Sequence, residues 1–406
     1  MSEKLLLLPV LIPLISGAGI WALPFREKKA RDIFTFCAAL LNSLLIFMLL
    51  LKRPDKALTL LHLTKDFSFS LKLDGAGVIF LALIAFLWPL AVLYSLEYME
   101  HEENLPRFFS FYMMSYGITA GVALSANLLT MYFFYELLTL VTIPLVAHDE
   151  NRRSMRAARK YIIYSIGGAA LSLTGILMLI SRTGCTEYLY GGAAGAVAGD
   201  SFLLTAYFLT FIGFGVKAAV FPLYAWLPAA GVAPTPVTAL LHAVAVVKSG
   251  VFASIRSTFY AFGPALLTGT PVQKAMLAMT AFTILFGSAM ALREQHLKRR
   301  LAYSTVSNLS YILFGMSLLT TNGLIAGFSH MLFHGIIKIT LFFCAGTVLC
   351  KTGREYAPET IGLGRKMPLT FGTFALASLA LTGTPLLPGF ISKMNLLAAG
   401  AALGTP

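Results

Sequence analysis

Apolar runs of roughly 20 residues recur from one end of this sequence to the other, and such a run is long enough as a helix to cross a hydrocarbon core of about 30 Å. About twelve can be delimited, at 5–23, 33–51, 76–95, 109–126, 128–147, 161–181, 202–223, 235–260, 275–292, 302–319, 322–349 and 370–404. In a bilayer only helices and closed barrels satisfy their own backbone polar groups. Barrel strands alternate weakly, whereas these runs are continuous, so helices are expected. Composition agrees, because only 12% of the 406 residues are charged and 57% are hydrophobic. A soluble domain carries about 25% charged residues, and half that share cannot cover a water-facing surface on a chain this long. The first run, Leu5 to Leu23, follows only Lys4 as a basic residue and has no small-residue cleavage pattern before Arg26. It reads as a retained span, not a signal peptide. The expected fold class is an all-α polytopic membrane protein with about twelve transmembrane helices and no soluble domain.

The net charge of +13 would suggest nucleic acid in a soluble protein. Here the positive residues sit in short loops between apolar runs, which points to topology and lipid headgroups and away from nucleic acid. Alternate loops hold Arg26, Lys28, Lys29 and Arg31, then Arg107, then Arg152, Arg153, Arg156, Arg159 and Lys160, then Arg293, Lys298, Arg299 and Arg300, then Lys351, Arg354, Arg365 and Lys366. The opposite set is poorer, apart from residues 52–74. The positive-inside rule then puts the rich loops in the cytoplasm and the N-terminus outside, in a bacterial or archaeal energy-coupling membrane.

The four cysteines, Cys37, Cys185, Cys344 and Cys350, form no CxxC pair, which excludes a conventional zinc or iron–sulfur framework and leaves buried structural thiols. No GxGxxG follows a strand, and no P-loop, metal triad or Ser/His/Asp arrangement is present. No cofactor is expected in this chain, and any redox chemistry must belong to another subunit.

Against this apolar background stand eight ionisable residues near the middle of spans: Glu136, Lys217, His242, Lys248, His330, His334, Lys338 and Lys393. Each costs about 2.5–3.5 kcal/mol to insert at a helix centre, so unpaired and unhydrated examples should be rare. His330, His334 and Lys338 recur every fourth residue and share one helix face. That stripe must meet partners or water and not lipid. Histidine titrates near neutrality and a desolvated lysine can approach it, so such groups can pass protons through intervening waters. Glu136 is the one carboxylate deep in a span, and a buried lysine is its natural partner. Closing the pair holds the lysine charged, and opening it favours proton release. For any one of these residues the bland reading is a structural ion pair, a snorkelling lysine or a satisfied packing histidine. Glu97 and His62, His101, His148 and His296 lie near span ends or in loops and carry no signal, and the loop basic residues read as topology determinants.

The seventh and twelfth runs are interrupted by prolines, Pro222 and Pro228 in one and Pro385 and Pro388 in the other. Broken helices at corresponding places in two halves point to inverted repeats around a midplane ion site. The stretches GVKAAVFPLYAWLPAAGVAPTPVTALLHA, LKRRLAYSTVSNLSYILFG, HMLFHGIIKITLFFCAG and GTPLLPGFISKMNLL resemble the antiporter-like family, in matched order over about residues 75–400. This family comprises the large proton-translocating membrane subunits of complex I, the A- and D-type subunits of Mrp cation/proton antiporters, and the antiporter-like subunits of membrane-bound hydrogenases.

The resemblance implies inverted five-helix repeats. It divides the chain into an N-terminal three-helix region (1–108), a first repeat broken near 217–228 (109–260), and a second repeat broken near 385–393 (261–406). The second repeat is expected to be incomplete, since the sequence ends just after the twelfth span. The resemblance makes Glu136 and Lys217 the coupled glutamate–lysine pair, Lys248, His330, His334 and Lys338 the central axis, and Lys393 the terminal lysine of a half-channel. Lysines at both 248 and 393 look more like the Mrp D-type and hydrogenase-type subunits. Tyr224 and Ala229 depart from the family pattern, which often has a histidine and an acidic residue there. The implied function is proton translocation, with Na⁺ exchange left open, as a subunit of a redox-driven complex such as complex I or an energy-converting hydrogenase. The alternatives are a subunit of a Mrp-type antiporter and a structural membrane subunit with no ion path. Implied partners are other membrane subunits, peripheral iron–sulfur, flavin or nickel–iron subunits, and lipid.

Overall fold

The computed structural model describes residues 3–23, 25, 27–62, 67–193 and 199–402. Every expected span is helical over most of its described residues. A 3₁₀ turn, Glu3–Leu7, leads into α1 (Leu8–Ala22), followed by α2 (Lys28–Lys52), α3 (Gly75–Tyr98), α4 (Leu105–Leu124), α5 (Leu128–Val146), α6 (Arg152–Thr183) and α7 (Ser201–Lys217). The second half holds the short α8 (Trp226–Ala230), α9 (Thr235–Ala243), α10 (Val246–Arg256) with a π-helical extension Ser257–Phe262, the single turn α11 (Pro264–Leu267), α12 (Pro271–Arg293), α13 (Leu297–Ser317) and α14 (Thr321–Thr352). The last elements are the turn α15 (Leu363–Lys366), α16 (Pro368–Thr382) and α17 (Pro388–Ala401). The expected twelfth span extends to 404, and its residues 403 and 404 lie outside the described residues.

Among the described residues, eight helical stretches are long and apolar enough to cross a membrane, counting Glu3–Ala22 and Thr235–Phe262 as one each. The other four expected spans fall short for local reasons. α7 and α16 have 17 and 15 residues, and α4 and α13 carry many polar side chains on their buried faces. The helix starts are encoded by caps: Asp74, Asn127, Asn151 and Asp200 each accept hydrogen bonds from backbone N–H groups of the turn that follows.

Two features are not legible in the sequence. Residues 52–74, a loop by their sequence, contain an antiparallel hairpin, β1 (Leu58–His62) with β2 (Ser68–Leu71), pairing Leu58 with Leu71. The eighth span breaks between α9 and α10, where the N–H groups of Val244 and Ala245 both donate to Leu240 O. No proline or glycine marks that break. The proline-marked breaks occur as expected, α7 ending at Lys217 and α16 at Thr382, with Gly383 as its C-cap.

Loop contacts sort the span ends onto two faces. On one face, Lys28 Nζ donates to Glu100 O at 2.6 Å, and Arg107 donates to His148 O at 2.8 Å while pairing with Glu150. His296 stands 3.3 Å from Glu355, and Lys298 lies in electrostatic reach of Asp149. On the other face, Asn127 Nδ2 donates to Ser68 O at 2.8 Å and reaches Glu187 at 3.3 Å. There too Leu189 N–H donates to Tyr260 O, and Gln273 donates to Ser317 O. These contacts fit a chain that changes face at each of twelve spans, with the Arg/Lys-rich loops sharing one basic face.

Helices meet through small residues, as expected where lipid offers no hydrophobic drive between them. A Cβ on Gly175 of α6 would collide with Ala206 O of α7, and one on Gly117 of α4 would collide with Val10 O of α1. Large apolar side chains, among them Leu44, Leu51, Leu285 and Leu292, point outward. The α9–α10 segment is enclosed on all sides, with α14 packed against α9 and α7 and α13 against α10. The cysteines correct the buried-thiol expectation: Cys344 is buried, Cys37 and Cys350 are exposed, and Cys185 is half-buried. Cys37 and Cys350 belong to the outward faces of α2 and α14, where an apolar thiol suits lipid as well as it suits a core.

Candidate ion path

Lys217 ends α7 just before the break and is fully buried. Its ammonium donates to Tyr135 O at 2.5 Å and lies 3.3 Å from the centroid of the Tyr135 ring. Glu136 Oε1 is 3.4 Å from Nζ. The pair expected between these residues is therefore formed, across α5 and α7. Glu136 is less enclosed than its mid-span position suggests: its side chain is 25% exposed and lines a cavity of about 360 Å³ with Phe69, Tyr132 and Phe133. Gly250 of α10 lets this region close up, since a Cβ there would stand 2.7 Å from Ala218 N and 2.9 Å from Lys217 Cβ.

Further along, Lys248 of α10 meets His334 of α14, with Nζ 2.9 Å from Nδ1. With the lysine charged, Nζ donates and Nδ1 accepts, which places the histidine proton on Nε2. That nitrogen has no partner among the described residues. His330 and His334 stack with centroids 6.0 Å apart, one turn apart on α14. His330 is held from two sides, Nδ1 at 2.9 Å from Ser392 Oγ of α17 and Nε2 at 3.2 Å from Asn308 Oδ1 of α13. Lys338 donates to Leu301 O at 2.8 Å and to Ser304 Oγ, both on α13. The α14 stripe thus faces α10, α13 and α17, as its spacing implies.

Lys393 of α17 is half-buried and folds back on the C-terminal end of α16, donating to Leu381 O at 2.7 Å and Thr382 O at 3.3 Å, with the Tyr311 ring 5.2 Å away. Those carbonyls are the orphan acceptors that a helix end leaves. His242 of α9 is fully buried beside the Phe342 ring, centroids 4.9 Å apart, and neither ring nitrogen has a partner among the described residues. Buried polar atoms of this kind are ordinarily satisfied by internal water.

Among the described residues, Lys217 alone of the four buried or half-buried lysines on this axis has a carboxylate within ion-pair distance. The arrangement is a Glu–Lys pair at one end, then a file of lysines and imidazoles hydrogen-bonded to neutral groups. No group in that file is fixed by a permanent ion pair, which is what a relay of protons requires. No His/Cys/Asp/Glu group suited to a metal ion occurs among the described residues.

Sequence reasoning misses several polar residues that hold the file. Ser304, Asn308 and Ser392 form its hydrogen bonds but carry no mark in the sequence. Lys298, a loop residue by its sequence, is instead buried in the first turn of α13 and donates to Ala233 O at 2.9 Å in the α8–α9 junction. His148 and His296, which carry no signal in the sequence, are also buried on the basic face. Burial holds each imidazole below the ordinary histidine range, with Arg107 adding to the effect at His148 and Glu355 opposing it at His296. Arg256, an arginine inside an apolar run, is a signal that could have found a further site. It is fully buried at the opposite face, 2.7 Å from Asp74, donates to Ala123 O and Ser125 O, and lies against the Tyr188 and Phe252 rings. Of the two departures, Tyr224 packs against Phe221, Phe286 and Tyr303. Ala229 lies in α8.

Comparison with known proteins gives the family of the chain. Residues 125–406 match the family profile described as NADH:quinone oxidoreductase/Mrp antiporter, TM, and residues 62–109 match that of NADH-Ubiquinone oxidoreductase (complex I), chain 5 N-terminus. The chain is 32% identical over 401 residues to the A/B subunit of a probable K(+)/H(+) antiporter of Rhizobium meliloti, covering 97% of this chain and 39% of that protein. It is 30% identical over 416 residues to the A1 subunit of a Na(+)/H(+) antiporter of Staphylococcus aureus, covering 97% of this chain and 51% of that one. The chain therefore spans about half the length, or less, of these curated relatives. Its fold superposes on a chain of the archaeal membrane-bound sulfane sulfur reductase with a TM-score of 0.90 at 25% identity, over 100% of this chain and 83% of that chain. It superposes on a chain of the Mrp complex from Dietzia sp. DQ12-45-1b with a TM-score of 0.87 at 23% identity, over 97% and 43%. The chain is an integral membrane protein and belongs to the NADH:quinone oxidoreductase/Mrp antiporter transmembrane family.

Proposed function

We propose that this chain is an ion-translocating antiporter-like subunit of a larger membrane complex, and that protons move between the Glu136–Lys217 pair and the Lys248–His334–His330 file, with Lys338 and Lys393 beyond it. The observation that carries this reading is the Glu136–Lys217 contact at 3.4 Å beside a file of buried cationic and imidazole groups that, among the described residues, have no carboxylate at ion-pair distance. Opening the pair would remove the negative charge that holds Lys217 protonated and release a proton toward Lys248. Waters at the unpartnered nitrogens of His242 and His334 would complete the connections. The two halves, 109–260 and 261–406, each with a helix broken beside a lysine, read as related repeats.

The partners follow from the relatives: other membrane subunits in every case, and peripheral iron–sulfur, flavin or nickel–iron subunits if a redox reaction drives the movement. The names of the curated relatives favour a second reading, a cation/proton antiporter that exchanges Na⁺ or K⁺ for H⁺ without redox subunits. In both, the basic face is cytoplasmic, the N-terminus is outside and the membrane is an energy-coupling one of a bacterium or archaeon.

The test is purification of the complex from its own membranes, identification of its subunits, and flux measurement after reconstitution. Lys217→Ala and Glu136→Ala should abolish coupled ion movement while the complex still assembles. If Lys217→Met leaves flux intact and changes only complex yield, the chain is structural. Redox subunits in the purified complex point to the first reading, and Na⁺- or K⁺-dependent proton flux without them to the second.

A further inference from the structure

At the basic face, away from the ion path, a cavity of about 500 Å³ lies between the C-terminal end of α1 and the first turns of α2 and α4. Its walls include Trp21, Phe25, Glu27, Lys28, Arg31 and Pro106. α2 begins there with no side-chain cap on its N–H groups and no acidic residue in its first turn. That turn instead holds Lys28, Lys29 and Arg31. The amino end of a helix is the positive end of its dipole, so three cations beside it are unfavourable unless an anion joins them. Exposed Lys28 and Lys29 are accounted for as topology determinants. Arg31 is not, because it is only 6% exposed. Its Nε and Nη2 donate to Asp32 Oδ1 at 3.0 and 2.6 Å, and its Cζ lies 5.3 Å from the centroid of the Phe109 ring. Its third nitrogen, Nη1, has no acceptor among the described residues.

A buried guanidinium with an open donor, beside an uncapped helix start, is a donor set suited to a phosphate. Lys28 adds to it, since its ammonium spends one of three donors on Glu100 O at 2.6 Å. The surroundings specify a phosphate carried by lipid. Trp21 and Leu23 line the cavity and are exposed, and a tryptophan at the end of a span marks the headgroup level. Below them Ile33, Leu40 and Leu44 form an exposed apolar row down one face of α2, where acyl chains can lie. Glu27, exposed in the same wall, repels a purely anionic head group and attracts an ammonium.

We propose that this cavity binds the head group of an amine-bearing phospholipid, of which phosphatidylethanolamine is the type. The phosphate sits on Arg31 Nη1, Lys28 and the amino end of α2, the ammonium faces Glu27, and the acyl chains follow Ile33, Leu40 and Leu44. The bound lipid bridges α1, α2 and α4 at the basic face. The site is independent of whether the chain moves ions.

The test is photo-crosslinking of the whole complex in vesicles. Phosphatidylethanolamine and, in a parallel preparation, phosphatidylglycerol would carry a diazirine near the head of one acyl chain, and mass spectrometry would map the labelled residues. The ratio of ethanolamine-lipid to glycerol-lipid labelling at residues 21–33 is compared with the same ratio over all other labelled segments, which reads ordinary lipid contact. The expected ratio at 21–33 is several-fold higher and is unchanged by millimolar inorganic phosphate. Arg31→Gln should bring it down to the ordinary value. Lys28→Gln, at an exposed position that does not burden folding, should lower it at least in part and carries the test if the Arg31 variant fails to assemble. Glu27→Gln should shift the preference toward phosphatidylglycerol. A ratio at 21–33 equal to or below the ordinary one overturns the proposal, as does a high ratio that Lys28→Gln and Glu27→Gln both leave unchanged. Loss of labelling on adding phosphate would overturn it in favour of a site for the free ion.

Discussion

Lys248 of α10 and His334 of α14 meet at 2.9 Å with no carboxylate at ion-pair distance from either among the described residues. Two full charges at that separation repel by about 6 kcal/mol at an effective dielectric near 20, so the pair holds one proton in preference to two. On the proposed path, a proton arriving from Lys217 on one side must be matched by one leaving toward His330 on the other. His334→Gln keeps a side chain that can accept a hydrogen bond from Lys248 but cannot carry the proton. It should lower proton flux by on the order of 10²-fold, the scale for losing a positioned acid–base group. A pH-sensitive dye in proteoliposomes holding the complex would read this, and normal flux would remove His334 from the path.

The Glu136–Lys217 pair offers a finer distinction. Glu136→Gln keeps the shape and removes the charge, so it should leave assembly unchanged while uncoupling or stopping ion movement. Lys217→Met should do the same more completely, because Lys217 is fully buried and Glu136 is reached from a side cavity. Equal complex yield with flux reduced in both is the expected pattern. Loss of yield without any loss of flux per complex would assign the pair to assembly.

Arg256 and Asp74 should behave as a clamp on stability. Asp74→Ala strands a fully buried guanidinium whose remaining partners are carbonyls and ring faces, and breaking a buried pair on one side costs about 3–5 kcal/mol. The thermal midpoint of the purified complex should fall clearly. Arg256→Met combined with Asp74→Ala should recover part of the loss, since no buried charge is then left alone. A double variant less stable than the sum of the two singles would contradict this account.

Gly250 sets the approach of α10 to the end of α7. Gly250→Ala puts a Cβ 2.7 Å from the backbone nitrogen of Ala218, and overpacking of this kind costs about 1–3 kcal/mol. The displacement falls at Lys217, so flux should fall by more than the lost stability explains. Thermal shift and flux measured on the same preparation would separate the two effects.

What the sequence by itself determined is the part that follows from solvent and periodicity. Long uncharged runs demand helices in a bilayer, prolines mark two of the breaks, and the four-residue spacing of His330, His334 and Lys338 puts them on one face whatever surrounds them. That Glu136 would meet a buried lysine was legible because a buried carboxylate needs a cation, whereas Lys217 as that lysine came only from the resemblance to the antiporter-like family. Only the tertiary structure decided how each group is held. Lys298 reads as a loop residue until α13 starts beneath it, and Ser304, Asn308 and Ser392 become part of the path only because α13 and α17 lie against α14. The break between Ala243 and Val246 has no proline or glycine to announce it, and Glu136 is partly open because a cavity reaches it from the side. Periodicity states which face of a helix must be satisfied. Which neighbour satisfies it depends on contacts between residues far apart in the chain, and these arise only when the helices pack.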